Sequence, residues 1–424
     1  MTDIRAGAGE DQRERSQPGG SSYLAVLRSP GALRFSVAAA IGRVPMSMYG
    51  LGSLLLIAAL TGRYGLAGTV SAAGSVGYAA FAPMIARLAD RFGQGRVLRP
   101  TAVAFAIATA GFITAVELGA PLAALLATGC VAGALMPSLG SMVRARWSVL
   151  LAGQQQRLGT AYALESVIDE IIFVVGPAVV TLLATEVSPP AGVLTAAVVC
   201  VAGTLALAAQ TGTEPPVQPP ARGGGPRARK GGRLPAAGLV TLTPAFIFLG
   251  AMFASIDLST VDFAQEQGHK PLAGLLLGCY ALGSAVGGIW YGSRTWRAPL
   301  ERRFAATLFL AICGVGTFWL VPSLGALSAV IFVAGLAISP TLIAGFGLIE
   351  RQAPASRRTE GMTWLSSSIS VGVAGGAAIA GHIVDAGGAR WGYGFAACCG
   401  AVAVVTCVAG LGRLRLAPAG QPAQ

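Results

Sequence analysis

Basic residues recur in every second gap between long apolar stretches, and this pattern constrains the fold more than any other feature. About twelve apolar stretches alternate with short polar segments. Of the 30 lysine and arginine residues, all but four fall in segments that would lie on one side of a membrane. The four exceptions are Arg43, Arg63, Lys270 and Arg390. This asymmetry is typical of helical proteins that cross a bilayer many times with the basic side in the cytoplasm.

The composition indicates the same class of protein. Hydrophobic residues make up 54% of the chain and charged residues 11%, whereas soluble domains carry about 25% charged residues. A bilayer core requires about 20 apolar residues per helix. The net charge of +12 is spread over the basic segments, which favours contact with anionic lipid headgroups and argues against nucleic acid as a partner. We predict spans at 33–60, 66–88, 98–119, 121–143, 158–184, 190–210, 239–263, 271–293, 303–321, 324–349, 362–385 and 391–411.

A segment rich in Pro, Gly and Arg, at 212–238, divides the chain into two halves. Such a segment cannot bury a core, so we predict a flexible cytoplasmic linker. It separates six spans in 33–211 from six in 239–411. The chain is therefore predicted to be an all-α membrane protein with twelve transmembrane helices in two pseudo-symmetric six-helix bundles. We expect cytoplasmic tails at 1–32 and 412–424, no signal peptide, and a short helix immediately before span 1.

The seven cysteines all lie in apolar stretches and lack metal-ligand spacing, so we predict no metal site. Arginine greatly outnumbers lysine, which fits a GC-rich bacterial genome. We expect a multi-pass monomer in a bacterial cytoplasmic membrane.

Small residues also recur at helix-packing spacing, and two interpretations remain open: static packing, or a smooth surface along which the two halves rock. These residues are Gly74, Gly77, Gly283, Gly287, Gly372, Gly376 and Ala380.

The segment ARLADRFGQGRVL, between predicted spans 2 and 3, resembles the signature loop of the major facilitator superfamily, G-x-x-x-D-R-x-G-R-R. Asp90, Arg91, Gly93 and Arg96 match that pattern, whereas Ala86 replaces its leading glycine. The resemblance covers about residues 30–411, because the twelve spans and the central linker also fit. It implies a transporter that exposes its binding site to each side of the membrane in turn.

In this resemblance the loop is a latch that closes the cytoplasmic side. Asp90 could meet Arg144 at the inner end of span 4, or the positively polarised N-terminus of span 11 near Gly361. The corresponding loop of the second half, 290–303, keeps its arginines but lacks a counterpart of Asp90, so the latch is expected to be one-sided. Alternatively, Arg91 and Arg96 only set the topology.

Span 5 contains Gly176 and Pro177, which resemble the Gly-Pro step found in this helix of exporters of the superfamily. The glycines that normally surround the step are replaced by Ile172, Val180 and Thr181. Pro177 removes a backbone donor, so we predict a kink in the helix there. The step favours export.

Ionisable residues within the predicted spans are functional candidates, because charge in a bilayer is costly unless it is paired or hydrated. The candidates for proton coupling or for the substrate cavity are Arg43, Glu165, Asp169, Glu170 and Asp257. Arg43 and the three acids of span 5 reach similar depths, since both helices run in the same direction at about 1.5 Å per residue. Spans 1 and 5 are neighbours in the family that the loop resembles, so we expect Arg43 to pair with one or two of these acids.

Three acids against one arginine leave an excess of carboxyl groups. At least one is expected to be protonated at neutral pH, because desolvation and nearby like charges disfavour its ionised form. Proton coupling requires such a carboxyl group; the alternative is a structural ion network.

The chain lacks a P-loop, which argues against ATP-driven pumping, and it lacks a constellation of catalytic residues, so we expect no enzyme activity. We predict a secondary active transporter that needs no cofactor, uses the proton gradient as its energy source and exports a small amphipathic compound. The first alternative is a proton-coupled importer of a polar or anionic solute, with Arg43 binding the anion. The second, from another class, is a membrane receptor or membrane enzyme that transports nothing.

Overall fold

Twelve helical spans long and apolar enough to cross a membrane lie in the part of the chain that the structure describes. The computed structural model describes residues 23–61, 64–217, 236–269 and 272–415, and within these ranges the secondary structure is entirely helical. Most of the tail 1–32, the central part of the linker and residues 416–424 lie outside the described residues. The boundaries predicted for these segments therefore stay predictions.

All twelve predicted spans are present. Their bounds are Ala32–Thr61, Leu66–Phe92, Gln94–Glu117, Leu122–Leu150, Gln155–Glu186, Ala191–Ala208, Gly238–Glu266, Ala273–Ser293, Leu300–Leu320, Leu324–Gln352, Arg358–Gly387 and Ala389–Ala409. The predicted short helix before span 1 is Tyr23–Leu27, and another short helix, Leu411–Arg415, follows span 12. We call the side of the bundle at which span 1 begins the linker side and the opposite side the far side.

Three of the described spans are each formed by two successive α-helices. Span 1 consists of Ala32–Arg43 and Pro45–Thr61. Span 4 consists of Leu122–Leu135 and Leu139–Leu150, with Pro137 in the break. Span 10 breaks similarly between Gly335 and Ile338. Proline lacks the backbone N–H that a continuing helix needs, which accounts for the first two breaks.

The turn between spans 2 and 3 is a single residue. The helix of span 2 continues to Phe92 and that of span 3 begins at Gln94. Gly93 joins them with a φ of 96°, which favours glycine. The sequence predicted that the signature segment forms a loop, and this prediction is wrong: the segment is helical on both sides of Gly93. Asp90 instead lies in the last turn of span 2.

Each half is tied together by close approach of helix backbones at glycines. A Cβ on Gly133 of span 4 would collide with the carbonyl of Gly74 in span 2, and one on Gly287 of span 8 with the carbonyl of Leu336 in span 10. Gly372 likewise lies against Ile247 of span 7. None of these three contacts joins the two halves: one lies in the first half and two lie in the second. These glycines are therefore packing sites within each half, which favours the interpretation of static packing.

The two halves meet along two pairs of helices. Span 2 packs against span 11, and span 5 packs against span 8. Spans 4 and 11, and spans 5 and 10, add further contacts. This arrangement leaves the side chains of spans 1, 4, 5, 7, 8 and 10 around the centre of the molecule, where most of the candidate residues lie.

Candidate functional site

Arg43 of span 1 binds two acids of span 5, as the sequence predicted. Its guanidinium group forms an ion pair with Glu165, and its Nη1 lies 2.7 Å from Oδ1 of Asp169. The two acids share one face of span 5 because they are four residues apart. Arg43 is 1% exposed and is the last residue of the first helix of span 1.

Glu165 is the most enclosed acid of this network, at 0% exposure. Besides the arginine, it accepts hydrogen bonds from Ser36 Oγ at 2.8 Å and from Trp147 Nε1 at 2.7 Å. Three donors therefore surround this buried carboxylate. Ser36 and Trp147 are functional neighbours that the sequence analysis missed. No charge or motif marks them, and only the packing of spans 1, 4 and 5 reveals them.

Arg144 joins this network instead of binding Asp90. Its Nη2 lies 2.8 Å from Oδ2 of Asp169, and its guanidinium carbon lies 4.4 Å from the ring centre of Phe346 in span 10. The prediction that Arg144 pairs with Asp90 is therefore wrong. The prediction of one arginine among three acids is wrong only in the number of arginines: Arg43 and Arg144 bind Glu165 and Asp169, and Glu170 remains as the excess acid.

Glu170 lies outside the arginine network and faces the other half. Ser284 Oγ of span 8 donates to its Oε1 at 2.5 Å, and Ser284 in turn lies 2.9 Å from Ser339 Oγ of span 10. Among the described residues, no lysine or arginine forms an ion pair with Glu170. This carboxyl group therefore bridges the two halves through neutral hydroxyl groups at the centre of the molecule.

Asp257 of span 7 is exposed and lies nearer the far side. It has no hydrogen-bond or ion-pair partner within the described part of the chain. The buried hydroxyl of Tyr280 in span 8 also lacks a partner in the described ranges. The five predicted site residues thus divide into two groups. Arg43, Glu165 and Asp169 are paired, whereas Glu170 and Asp257 have no cationic partner among the residues that the structure describes.

No group of three or more potential metal ligands occurs among residues 23–61, 64–217, 236–269 and 272–415.

Asp90 meets the N-terminus of span 11, which is the second of its two predicted partners. Its carboxylate accepts from the backbone N–H of Thr359 at 3.3 Å and of Glu360 at 3.0 Å. These amides have no partner within their own helix, and the helix dipole there favours a negative charge. The contact joins span 2 of one half to span 11 of the other.

The remaining residues of the signature segment contribute differently. Arg91 and Arg96 are exposed. Gly93 forms the tight turn and lies against Glu214, which follows span 6. Glu214 Oε1 accepts from the backbone N–H of Gly95 at 3.0 Å. The beginning of the linker therefore docks on this turn.

Arg146 anchors the same region and was not predicted as a site residue. It is 0% exposed, and it donates to Gln94 at 2.8 Å, to the carbonyl of Gln210 at 2.7 Å and to Thr213 Oγ1 at 2.8 Å. It therefore fixes spans 3, 4 and 6 to each other. In the sequence, an arginine at the inner end of a span indicates only the topology, so this role of Arg146 was not predicted.

Gly176 and Pro177 lie within one uninterrupted helix, Gln155–Glu186. Gly176 lets span 1 approach, since a Cβ there would collide with Ser47 Oγ. The hydroxyl of Ser47 donates to the carbonyl of Ile172 at 2.9 Å. The predicted kink stays a prediction.

The linker side of the molecule is closed. Arg358 of span 11 donates to Ser148 of span 4 at 3.1 Å, and Thr363 donates to Ser141 at 2.5 Å. Together with the bonds of Asp90, these contacts join the halves on the linker side of Glu170. Two helical bundles that are joined at one end around a central polar site have the arrangement of a membrane transporter.

The chain belongs to the Major Facilitator Superfamily, whose family description matches residues 36–268 and 240–423. No curated protein matches the chain by sequence. The members of this family are transporters and not enzymes, which confirms the predicted class.

Solved structures share the fold at low sequence identity. The human organic anion transporter MFSD10 (TETRAN) is 16% identical, with a TM-score of 0.64 over 88% of this chain and 99% of that one. A bacterial homologue of the iron transporter ferroportin, in an outward-facing state, is 14% identical, with a TM-score of 0.65 over 89% and 98%. The Escherichia coli fucose:proton symporter FucP is 17% identical, with a TM-score of 0.63 over 90% and 99%.

Proposed function

We propose that the protein is a proton-coupled exporter of a small amphipathic compound that is positively charged or neutral. The observation that carries the proposal is Glu170. This carboxyl group lies at the contact between the two halves, and its partner there is the hydroxyl of Ser284, not a cation. Gain or loss of a proton there changes a bond that must break and re-form during alternating access, which is what coupling requires.

The charge balance of the centre supports a cationic or neutral substrate. Arg43 and Arg144 are engaged by Glu165 and Asp169, which leaves Glu170 and Asp257 as unpaired acids. When ionised, these two groups attract a cation; when protonated, they release it. The proton and the cationic substrate would then compete for the same carboxyl groups.

The same balance argues against the anion-importer alternative. Arg43 is 1% exposed and already binds two carboxylates. An incoming anion would have to displace a buried carboxylate, which would be left without its counter-ion. The Gly176–Pro177 step adds support for export, as a resemblance. The basic residues of the linker side support the proposal that this side faces the cytoplasm. We place the protein in a bacterial cytoplasmic membrane.

The test uses purified protein in proteoliposomes with an imposed pH gradient and tetraphenylphosphonium as the probe. We expect gradient-driven flux to be lost in Glu170→Gln and strongly reduced in Asp257→Asn, while downhill exchange of the probe continues. Asp385→Asn is the matched control, because this acid is exposed at the end of span 11. Full gradient-driven flux in Glu170→Gln, Asp257→Asn and the double variant would exclude proton coupling by these groups.

Direction is tested in a bacterial host that lacks its own drug pumps. Expression should lower the accumulation of at least one hydrophobic cation or neutral compound, and a protonophore should abolish the difference. If no compound of a broad panel accumulates less, while uptake of an organic acid, sugar or amino acid rises with expression, the direction is inward and export is wrong.

A further inference from the structure

The short helix Tyr23–Leu27 lies on the linker side where spans 5 and 8 meet. Val26 is 0% exposed and belongs to the main hydrophobic core. Arg157 of span 5 donates to the carbonyl of Ala25 at 3.1 Å and to Ser29 Oγ at 3.0 Å. These contacts fix the short helix to the first half of the molecule.

One side chain of this helix reaches the other half. The hydroxyl of Tyr23 donates to the carbonyl of Ile289 at 2.9 Å, and the carbonyl of Gly288 lies 3.4 Å away. Both carbonyls belong to the last turns of span 8. Burial raises the pKa of Tyr23 to about 12, so the phenol keeps its proton and remains a donor at any physiological pH.

Span 5 adds a second hydroxyl at the same place. Thr160 Oγ1 donates to the carbonyl of Gly292 at 2.6 Å. The carbonyl of Gly292 lies in the last turn of the helix Ala273–Ser293, where carbonyl groups lack donors within the helix and carry its negative partial charge, and Ile289 lies immediately before that turn. Two hydroxyl donors from the first half therefore bind the C-terminal end of span 8.

This contact stands in the pseudo-symmetric position of the Asp90 contact. Asp90 holds spans 2 and 11 together by accepting from amides at the beginning of span 11. The second half has no counterpart of that acid between spans 8 and 9. Neutral donors act there instead, because a helix C-terminus offers acceptors where a helix N-terminus offers donors.

We propose that the helix Tyr23–Leu27 is a second latch, which holds the linker-side end of span 8 against the first half and releases it whenever that side opens. Two latches would then control access: in one, Asp90 accepts hydrogen bonds from the N-terminus of span 11, and in the other, hydroxyl groups donate hydrogen bonds to the C-terminal end of span 8. The proposal concerns the alternation of the two halves and stands independently of the substrate and of proton coupling.

The test measures distances between the halves in the purified full-length protein. Spin labels are placed at 156 and 294, in a background without native cysteines, because Gln156 and Arg294 are exposed at the linker-side ends of spans 5 and 8. Tyr23→Phe keeps the ring and removes only the hydroxyl. Loss of one hydrogen bond should raise the population ratio of open to closed linker side by roughly two- to tenfold.

Tyr49→Phe is the matched control. The hydroxyl of Tyr49 lies 3.1 Å from Thr109 Oγ1, and both residues belong to the first half. This variant should leave the distance distribution unchanged. The proposal is overturned if Tyr23→Phe gives the distribution of the unmodified protein, or if Tyr49→Phe shifts it equally, since the shift would then report general loosening.

Discussion

Replacing Arg43 with alanine should destabilise the protein severely, and the structure identifies which acid causes the loss. Without Arg43, Asp169 retains Arg144 at 2.8 Å and is 22% exposed. Glu165, at 0% exposure, retains only the neutral donors Ser36 and Trp147. The uncompensated buried charge is therefore that of Glu165, not that of Asp169.

The magnitude follows from the burial of this pair. Removing one partner of a buried ion pair costs about 3–5 kcal/mol, which corresponds to roughly two to three and a half powers of ten in the folding equilibrium. Adding Glu165→Gln to Arg43→Ala should recover most of this loss, because a neutral amide still accepts from Ser36 and Trp147. Adding Asp169→Asn should recover little, since it leaves the Glu165 charge and also deprives Arg144 of its carboxylate.

The assay is the apparent Tm of the purified variants in one detergent at one scan rate, since membrane proteins commonly unfold irreversibly and only a ranking is then meaningful. Arg34→Ala is the control, because this arginine of the same helix is exposed; it should match the unmodified protein. If Asp169→Asn restores Arg43→Ala as well as Glu165→Gln does, the assignment of the stranded charge is wrong.

Two further predictions concern the latch and the packing of the halves. Asp90→Asn replaces a carboxylate at the helix N-terminus with a neutral amide, so it should raise the ratio of open to closed linker side by roughly two- to fivefold; unchanged labelling of a linker-side cysteine would show that Asp90 does not act as a latch. Gly372→Ala should lower the yield of folded protein, since its Cβ would meet the carbonyl of Ile247, whereas Gly375→Ala in the same helix has no atom within 4 Å and should be tolerated; equal yields of the two variants would contradict the packing argument.

The sequence predicted the number and positions of the spans well, because twenty apolar residues between charged segments leave little choice in a bilayer. It also predicted that Arg43 pairs with one or two of the three acids of span 5, since depth along parallel helices can be counted from the sequence and the family resemblance made spans 1 and 5 neighbours. The breaks in spans 1 and 4 follow from Pro45 and Pro137, but nothing in the sequence separates these from Pro83, which lies within an unbroken helix.

The errors come from contacts that depend on rotation of a helix about its own axis. Arg144 was expected near Asp90, because both lie toward the inner ends of their helices. The structure turns Arg144 inward to Asp169 and presents Asp90 to span 11. Depth alone does not predict this rotation. The partners of Glu170 were missed for a related reason, since serine residues at the centre of a span carry no signal that distinguishes them from packing residues.

The glycine contacts described above have a consequence for how such a sequence can vary over evolutionary time. Within each half, backbones touch at Gly77, Gly133 and Gly287, where even one added carbon atom collides with a main-chain carbonyl. Between the halves, hydroxyl groups such as those of Tyr23 and Ser284 make several of the polar contacts. Substitutions can therefore retune the speed of alternation one polar group at a time, while the architecture of each bundle stays under strict constraint.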